Sequence, residues 1–181
     1  MKYTDYRPAV DSPPKASFLD CALEALSISV VLWHSLLILT SWSSLPEQLP
    51  RHFDLTGQVT AHGSRWFLVL FVGVSLAIYT FVTVLVWTGA FWKSIFFGWI
   101  AEVYEHNKER HYALARTCLL VLKLQACALL ALFSWSSIQI AIHGASGVGE
   151  ILPLLGIGSL VITLGSFYML ARRLNAETRP R

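Results

Sequence analysis

Residues 45–65 read L-P-E-Q-L-P-R-H-F-D-L-T-G-Q-V-T-A-H-G-S-R, a polar island between two long apolar runs. Leu45-Pro46 and Leu49-Pro50 recur four residues apart. Each proline lacks the N–H that a helix needs and biases its predecessor towards extended backbone, so no helix passes through. Asp54-Leu-Thr-Gly57 has the chemistry of a tight turn, with Asp54 able to cap backbone N–H groups and Gly57 free to take positive φ. His62-Gly63-Ser64 predicts a second turn before Arg65 and Trp66, residues suited to the headgroup level of a bilayer. A short ordered cap lying on a membrane face fits this pattern better than a loose linker.

The composition supports a membrane. The chain has 181 residues, 55% hydrophobic and 14% charged, with a mean hydropathy of +0.55, too apolar for an ordinary soluble domain. A span needs roughly 20 apolar residues. Four stretches supply them: Ser17 to Trp42, Trp66 to Trp92, Tyr112 to Ile142 and Ile151 to Ala171. Backbone facing lipid must satisfy its own hydrogen bonds, so all four are expected to be helices. The predicted fold is all-α, an integral membrane four-helix bundle with a short extracytoplasmic cap loop between helices 1 and 2. Residues 17–171 form the membrane domain, 1–16 a flexible cytoplasmic arm and 172–181 a basic cytoplasmic tail.

The net charge of +3 does not indicate nucleic acid, because the basic residues sit at span ends and form no single patch. Lys2, Arg7 and Lys15 precede the first span; Lys93, Lys108, Arg110 and Arg116 surround the second connection; Arg172, Arg173, Arg179 and Arg181 follow the last span. The first connection holds only Arg51 and Arg65, and the third none. The positive-inside rule then places both termini in the cytoplasm and residues 45–65 outside, as in a multi-pass protein of a plasma (inner) membrane. The long polar segment before the first apolar run, and the lack of an A-x-A-like site after it, argue for a retained helix over a cleaved signal. Cys21, Cys118 and Cys127 all fall within spans, and no disulfide is expected.

Polar residues inside the spans are the next signal. Asp20, Glu24, Ser27 and His34 share one face of the first helix, and Arg116 and Lys123 share one face of the third. Both helices run the same way, so Asp20 and Glu24 lie near the levels of Arg116 and Lys123, and two ion pairs are geometrically available. The alternative is interfacial Asp20 and Arg116 with Lys123 snorkelling to headgroups. His34 reads either as a hydrogen-bonded core histidine or as part of a proton or ligand path. The second span, free of charge and bracketed by tryptophans, reads as scaffold. Phe96, Trp99, Ile100 and Val103 opposite Glu102, Glu105 and His106 predict an amphipathic helix on the membrane surface or a helical extension into the cytosol. Gln125, Ser134, Ser136, Ser137 and Gln139 are expected to hydrogen-bond between helices, and Gly158 and Gly165 to permit close approach within the bundle or in a homo-oligomer.

In the cap, Leu45, Pro46, Leu49, Pro50, His52, Phe53, Asp54, Gly57, Val59, Gly63, Ser64 and Arg65 follow the pattern L-P-x-x-[IL]-P-x-H-[FW]-[ND]-x-x-G-x-[VP] with a small turn and a basic residue. This resembles the N-terminal membrane domain of SdpI-type bacterial immunity proteins. The resemblance covers about Ser17 to Trp92. It implies a bacterial inner-membrane protein carrying that family's outer cap, and an immunity-like role towards a secreted peptide. Thr60 and His62 depart from the family's usual acidic and aromatic residues, and Tyr112 to Arg181 carries no motif of the family's further membrane domain.

The candidate recognition residues are therefore His52, Phe53, Asp54, Gly57 and His62, with Phe53 expected to pack against the bundle. His52, Asp54 and His62 are also ligand types that zinc accepts, but their spacing matches no compact zinc motif. No cofactor is expected, and no catalytic signature such as G-x-S-x-G or H-E-x-x-H occurs. Three classes remain: a membrane recognition or immunity-like protein meeting a peptide or membrane-protein partner, an accessory subunit of a larger membrane complex, and a membrane enzyme or transporter using its intramembrane polar residues.

Overall fold

The computed structural model describes residues 15–54, 59–90, 106–144 and 151–178. Helix α1 spans Phe18–Ser41 and begins with a reciprocal cap. The Asp20 N–H donates to Ser17 Oγ at 3.1 Å, and the Ser17 N–H donates to Asp20 Oδ2 at 2.9 Å, satisfying donors that a helix start otherwise leaves open. The helix tightens into a 3-10 turn at Trp42–Ser44 and gives way to extended backbone at Leu45, just before Pro46. Helix α2 covers Trp66–Trp87, α3 Lys108–His143 and α4 Ile151–Thr178. All four helices are long and apolar enough to cross a membrane, so the chain is a multi-pass membrane protein.

The polar island folds as a β-hairpin. Strand β1 (Gln48–Phe53) pairs antiparallel with β2 (Val59–Ser64), with irregular register around His52. The turn expected at His62-Gly63-Ser64 is absent: these residues lie in β2, where Val59, Ala61 and Gly63 are half-buried and Thr60, His62 and Ser64 exposed. Alternating V-T-A-H-G-S suits a strand with one covered face. Gly63 is opposite Leu49, and a Cβ there would meet Arg51 Cδ at 2.8 Å.

Helix α3 is central, packing against α1, α2, α4 and β1. It lies parallel to α1 and antiparallel to α4. Near the start of α4, Gly156 packs on Leu129, where an added Cβ would come within 3.1 Å of Leu129 Cδ2. Near its end, His111 hydrogen-bonds the Asn175 side chain. Among the described residues two apolar clusters fill the bundle. Leu23, Val86 and Leu120 form the first; Ile38, Leu45, Leu49, Phe67, Leu68 and Ile138 form the second. The second includes Leu49 of β1 and Leu45 just before it, so the hairpin is seated on the bundle end.

Three helix boundaries differ from those expected, the first being that α3 begins at Lys108, four residues before Tyr112. Helix α2 stops at Trp87, short of Trp92, because Gly89 takes φ 69°, a conformation that favours glycine. Helix α4 continues past Ala171 to Thr178, since no glycine or proline interrupts the chain before Pro180. The expected flexible arm lies outside the described residues except at its last two positions, and the amphipathic segment around Phe96 to Val103 lies outside them entirely.

Leu49 is 0% exposed. Leu49→Ala should therefore lower unfolding stability in detergent by about 2–5 kcal/mol, while exposed Gln48→Ala stays within about 0.5 kcal/mol of wild type. Equal effects of the two substitutions would mean that the hairpin is not seated.

Candidate functional site

A column of polar side chains runs through the interface of α1, α2 and α3. At the end far from the hairpin, Arg116 Nη2 lies 2.8 Å from Asp20 Oδ2, with side chains only 5% and 1% exposed. Arg116 Nε donates to the same oxygen at 3.1 Å, and Thr117 Oγ1 donates to Asp20 Oδ1 at 2.7 Å. Arg116 Nη2 also donates to the Lys15 carbonyl at 3.1 Å, tying α3 to the residues that enter α1. Asp20 thus caps its own helix and binds α3 with the same carboxylate.

One turn further along α1, Lys123 Nζ lies 2.6 Å from Glu24 Oε2. Its ammonium donates to Thr83 Oγ1 at 2.9 Å, and Thr83 donates onward to Glu24 Oε1 at 2.8 Å. The Tyr79 ring sits beneath the ammonium, 4.7 Å from Nζ to the ring centroid, an arrangement that stabilises a desolvated cation. Lys123 does not snorkel to a headgroup: its side chain is 0% exposed.

Nearer the hairpin, His34 is fully buried, with Nδ1 3.3 Å from Ser75 Oγ and Nε2 2.8 Å from Ser134 Oγ. A hydroxyl both donates and accepts, so a neutral imidazole is satisfied here in either tautomer. The Cys127 thiol beside this layer donates to the Ser75 carbonyl at 3.7 Å.

Helix α2 is more than scaffold, because it contributes Ser75, Tyr79 and Thr83 to the column. These residues are four apart, hence on one helix face. That spacing is visible in the sequence, but hydroxyl residues in a chargeless span usually bond their own helix and so give a weak signal. Ser27, Ser29, Ser35 and Thr40 of α1 do so here, each donating to a carbonyl four residues earlier. Gln125 bridges to α4, its Nε2 donating to Thr163 Oγ1 at 2.7 Å and to the Ser159 carbonyl at 3.3 Å. Ser136 and Ser137 do not bridge helices; their hydroxyls are buried without a hydrogen-bond partner. Gly158 and Gly165 have open space where a Cβ would stand, so neither serves packing inside the bundle.

The second polar surface is the hairpin, where His52, Asp54 and His62 are all exposed. His52 pairs with Ala61 and His62 with Pro50, so the two imidazoles are not cross-strand neighbours. Among the described residues no group of three His, Cys, Asp or Glu is placed to hold a metal ion, and His52, Asp54 and His62 are not gathered into one. The Phe53 side chain and Gly57 lie outside the described residues. Arg65 clamps the hairpin base. Its Nη1 donates to the Leu45 carbonyl at 3.1 Å and the Trp42 carbonyl at 3.5 Å. Its guanidinium stacks 4.7 Å from the Trp42 ring centroid, and Trp42 meets Trp66 edge-on at 5.1 Å. Arg65 thus joins the hairpin base to the end of α1 through internal partners.

Residues 28–76 match a family described as a domain of unknown function, DUF1648. The match runs from mid-α1 through the hairpin into α2. No curated protein and no solved structure matches the chain.

Removing one partner of a buried ion pair leaves an uncompensated charge, at a cost of about 3–5 kcal/mol, whereas replacing both with apolar residues is often near neutral. Lys123→Met and Glu24→Leu should each destabilise the protein in detergent, and the double variant should recover most of the loss. Strictly additive losses in this cycle would show that the two groups are not coupled.

Proposed function

We propose that this chain is a membrane-anchored recognition protein, in which the bundle fixes the position of an outward hairpin that meets a peptide or membrane-protein partner. The observation that carries this reading is the division of labour within the hairpin. Leu45 and Leu49 are buried in the bundle and Arg65 locks the base, while His52, Asp54, Thr60, His62 and Ser64 remain exposed. A surface ordered before binding avoids the entropy cost of ordering itself on contact. The matched family region, residues 28–76, brackets this hairpin, and the motif's likeness to SdpI-type proteins supports an immunity-like role in a bacterial plasma membrane. The basic residues at the opposite end of the bundle support cytoplasmic termini.

The intramembrane column favours a structural core over a conduit, because Asp20, Glu24, His34, Arg116 and Lys123 are bonded to one another or to neighbouring hydroxyls. An accessory-subunit role has one supporting feature, the exposed face of α4 around Gly158 and Gly165, where a neighbouring helix or second copy would find room.

Two measurements test the reading. In a background lacking Cys21, Cys118 and Cys127, Thr60→Cys should react with an impermeant thiol reagent in intact cells, and Arg110→Cys only after permeabilisation; the reverse pattern would invert the protein. His52→Ala and His62→Ala, being exposed, should leave thermal stability near wild type while removing partner capture or cellular protection. A double variant that is both stable and fully active would end the claim that the hairpin is the recognition surface.

A further inference from the structure

The hairpin is a two-stranded sheet, and its two edges are not equivalent. Strand β1 packs on α3, contains Pro50, and is irregular in register between Pro50 and Phe53, devices that discourage further strand pairing. Strand β2 lies on the other side of β1 and holds neither proline nor charge along Val59–Ser64. Antiparallel bonding alternates, so every second residue turns its N–H and C=O away from its neighbour. The phase follows from two observations. The Arg65 N–H donates to the Glu47 carbonyl at 3.0 Å, which makes Leu49 and Gly63 the next bonded pair. Between these two pairs stand Gln48 and Ser64, and beyond them Pro50 and His62, where Pro50 has no N–H to give. His62 and Ser64 therefore direct their backbone groups to the free edge. Among the described residues neither makes a backbone hydrogen bond outside the hairpin.

We propose that this edge pairs with the same edge of a second copy, giving a four-stranded antiparallel sheet, β1–β2–β2–β1, across the outer face of a homodimer. The symmetry of the situation selects this occupant. Two adjacent antiparallel strands are related by a two-fold axis perpendicular to their sheet. Leu49, opposite Gly63, sits in the apolar cluster at the bundle end, so the half-buried face of β2, which carries Gly63, is the one turned to the bundle, and that axis runs close to the bundle axis and the membrane normal. It is the axis that two copies inserted in one bilayer with the same orientation must share, and a C2 contact between identical patches closes without further growth. Register follows from the outward-directed residues. Centring on His62 sets the two His62 residues opposite each other and Thr60 opposite Ser64 of the other copy, a hydroxyl pair of the kind that stabilises neighbouring strands. The inference does not depend on what the exposed hairpin face recognises.

The centred register brings the two His62 positions into a hydrogen-bonded pair with Cα atoms about 5.5 Å apart, within the roughly 4.4–6.8 Å that a disulfide spans. In a background lacking Cys21, Cys118 and Cys127, reconstituted into lipid vesicles at low protein density, His62→Cys should convert to a covalent dimer under mild oxidant. Differently tagged Thr60→Cys and Ser64→Cys chains should cross-link when mixed, at least tenfold more than either alone. His62→Pro deletes an N–H that β1 does not use, and should reduce the dimer fraction seen by native mass spectrometry at least tenfold while the chain remains folded. Gly158→Cys on α4 reports the competing surface. Cross-linking at Gly158→Cys with none at His62→Cys would overturn the proposal, as would a monomeric mass for the unmodified protein. A His62→Cys adduct of foreign mass without self-linked product would also overturn it, by giving the edge to another strand.

Discussion

The burial of a lysine ammonium between three helices constrains everything else in this bundle. Lys123 reaches Glu24 of α1 and Thr83 of α2 from α3, over the Tyr79 ring. An ammonium removed from water is tolerated only when its donors are met by good partners. Those partners lie on two other helices, so the rotation and depth of α1 and α2 against α3 are coupled to this one group. Apolar packing between lipid-facing helices discriminates poorly among registers, because lipid tails are as apolar as leucine. Asp20 with Arg116 and His34 with Ser75 and Ser134 repeat the constraint near either end of the column. Exposed leucines, valines and phenylalanines such as Phe18, Leu36, Leu39, Leu70 and Phe81 surround it, as a bilayer requires.

The hairpin inherits its position from this arrangement. Ile38 and Ile138, four residues beyond His34 and Ser134 in their helices, belong to the apolar cluster that receives Leu45 and Leu49. Arg65 then closes the base onto Trp42 and the start of α2. Displacing α1 against α3 would therefore tilt the strands as well as break the ion pairs. This link joins the intramembrane residues to the hairpin at the bundle end.

Much of this was legible from residue types and spacing. Four apolar runs gave four helices, and the interval from Asp20 to Glu24 against that from Arg116 to Lys123 brought the two carboxylates level with the two cations. The hairpin was harder to read. Pro46 and Pro50 signal the end of a helix without revealing whether the chain then pairs with itself, and His62-Gly63-Ser64 has the composition of a turn although Gly63 serves as a close-packed strand residue beside Arg51. The hydroxyl column of α2 was hidden for a different reason. Ser75, Tyr79 and Thr83 acquire their role only when α1 and α3 deliver His34, Glu24 and Lys123 to them, and that juxtaposition is a property of three helices together. Arg65 followed the same logic, since its aromatic partner lies 23 residues earlier.

The hairpin and the polar-locked bundle are joined as one ordered unit through Leu49 and Arg65. Amide hydrogen exchange of the protein in lipid nanodiscs distinguishes this from a loop tethered to the bundle. The Arg65 amide, bonded to the Glu47 carbonyl, and the Gly63 amide, paired with Leu49, should exchange as slowly as the outer part of α3, and both should speed up in Lys123→Met. Exchange of these two amides at the rate of an unstructured loop, with α3 still protected and no response to Lys123→Met, would mean that the hairpin is not held by the bundle.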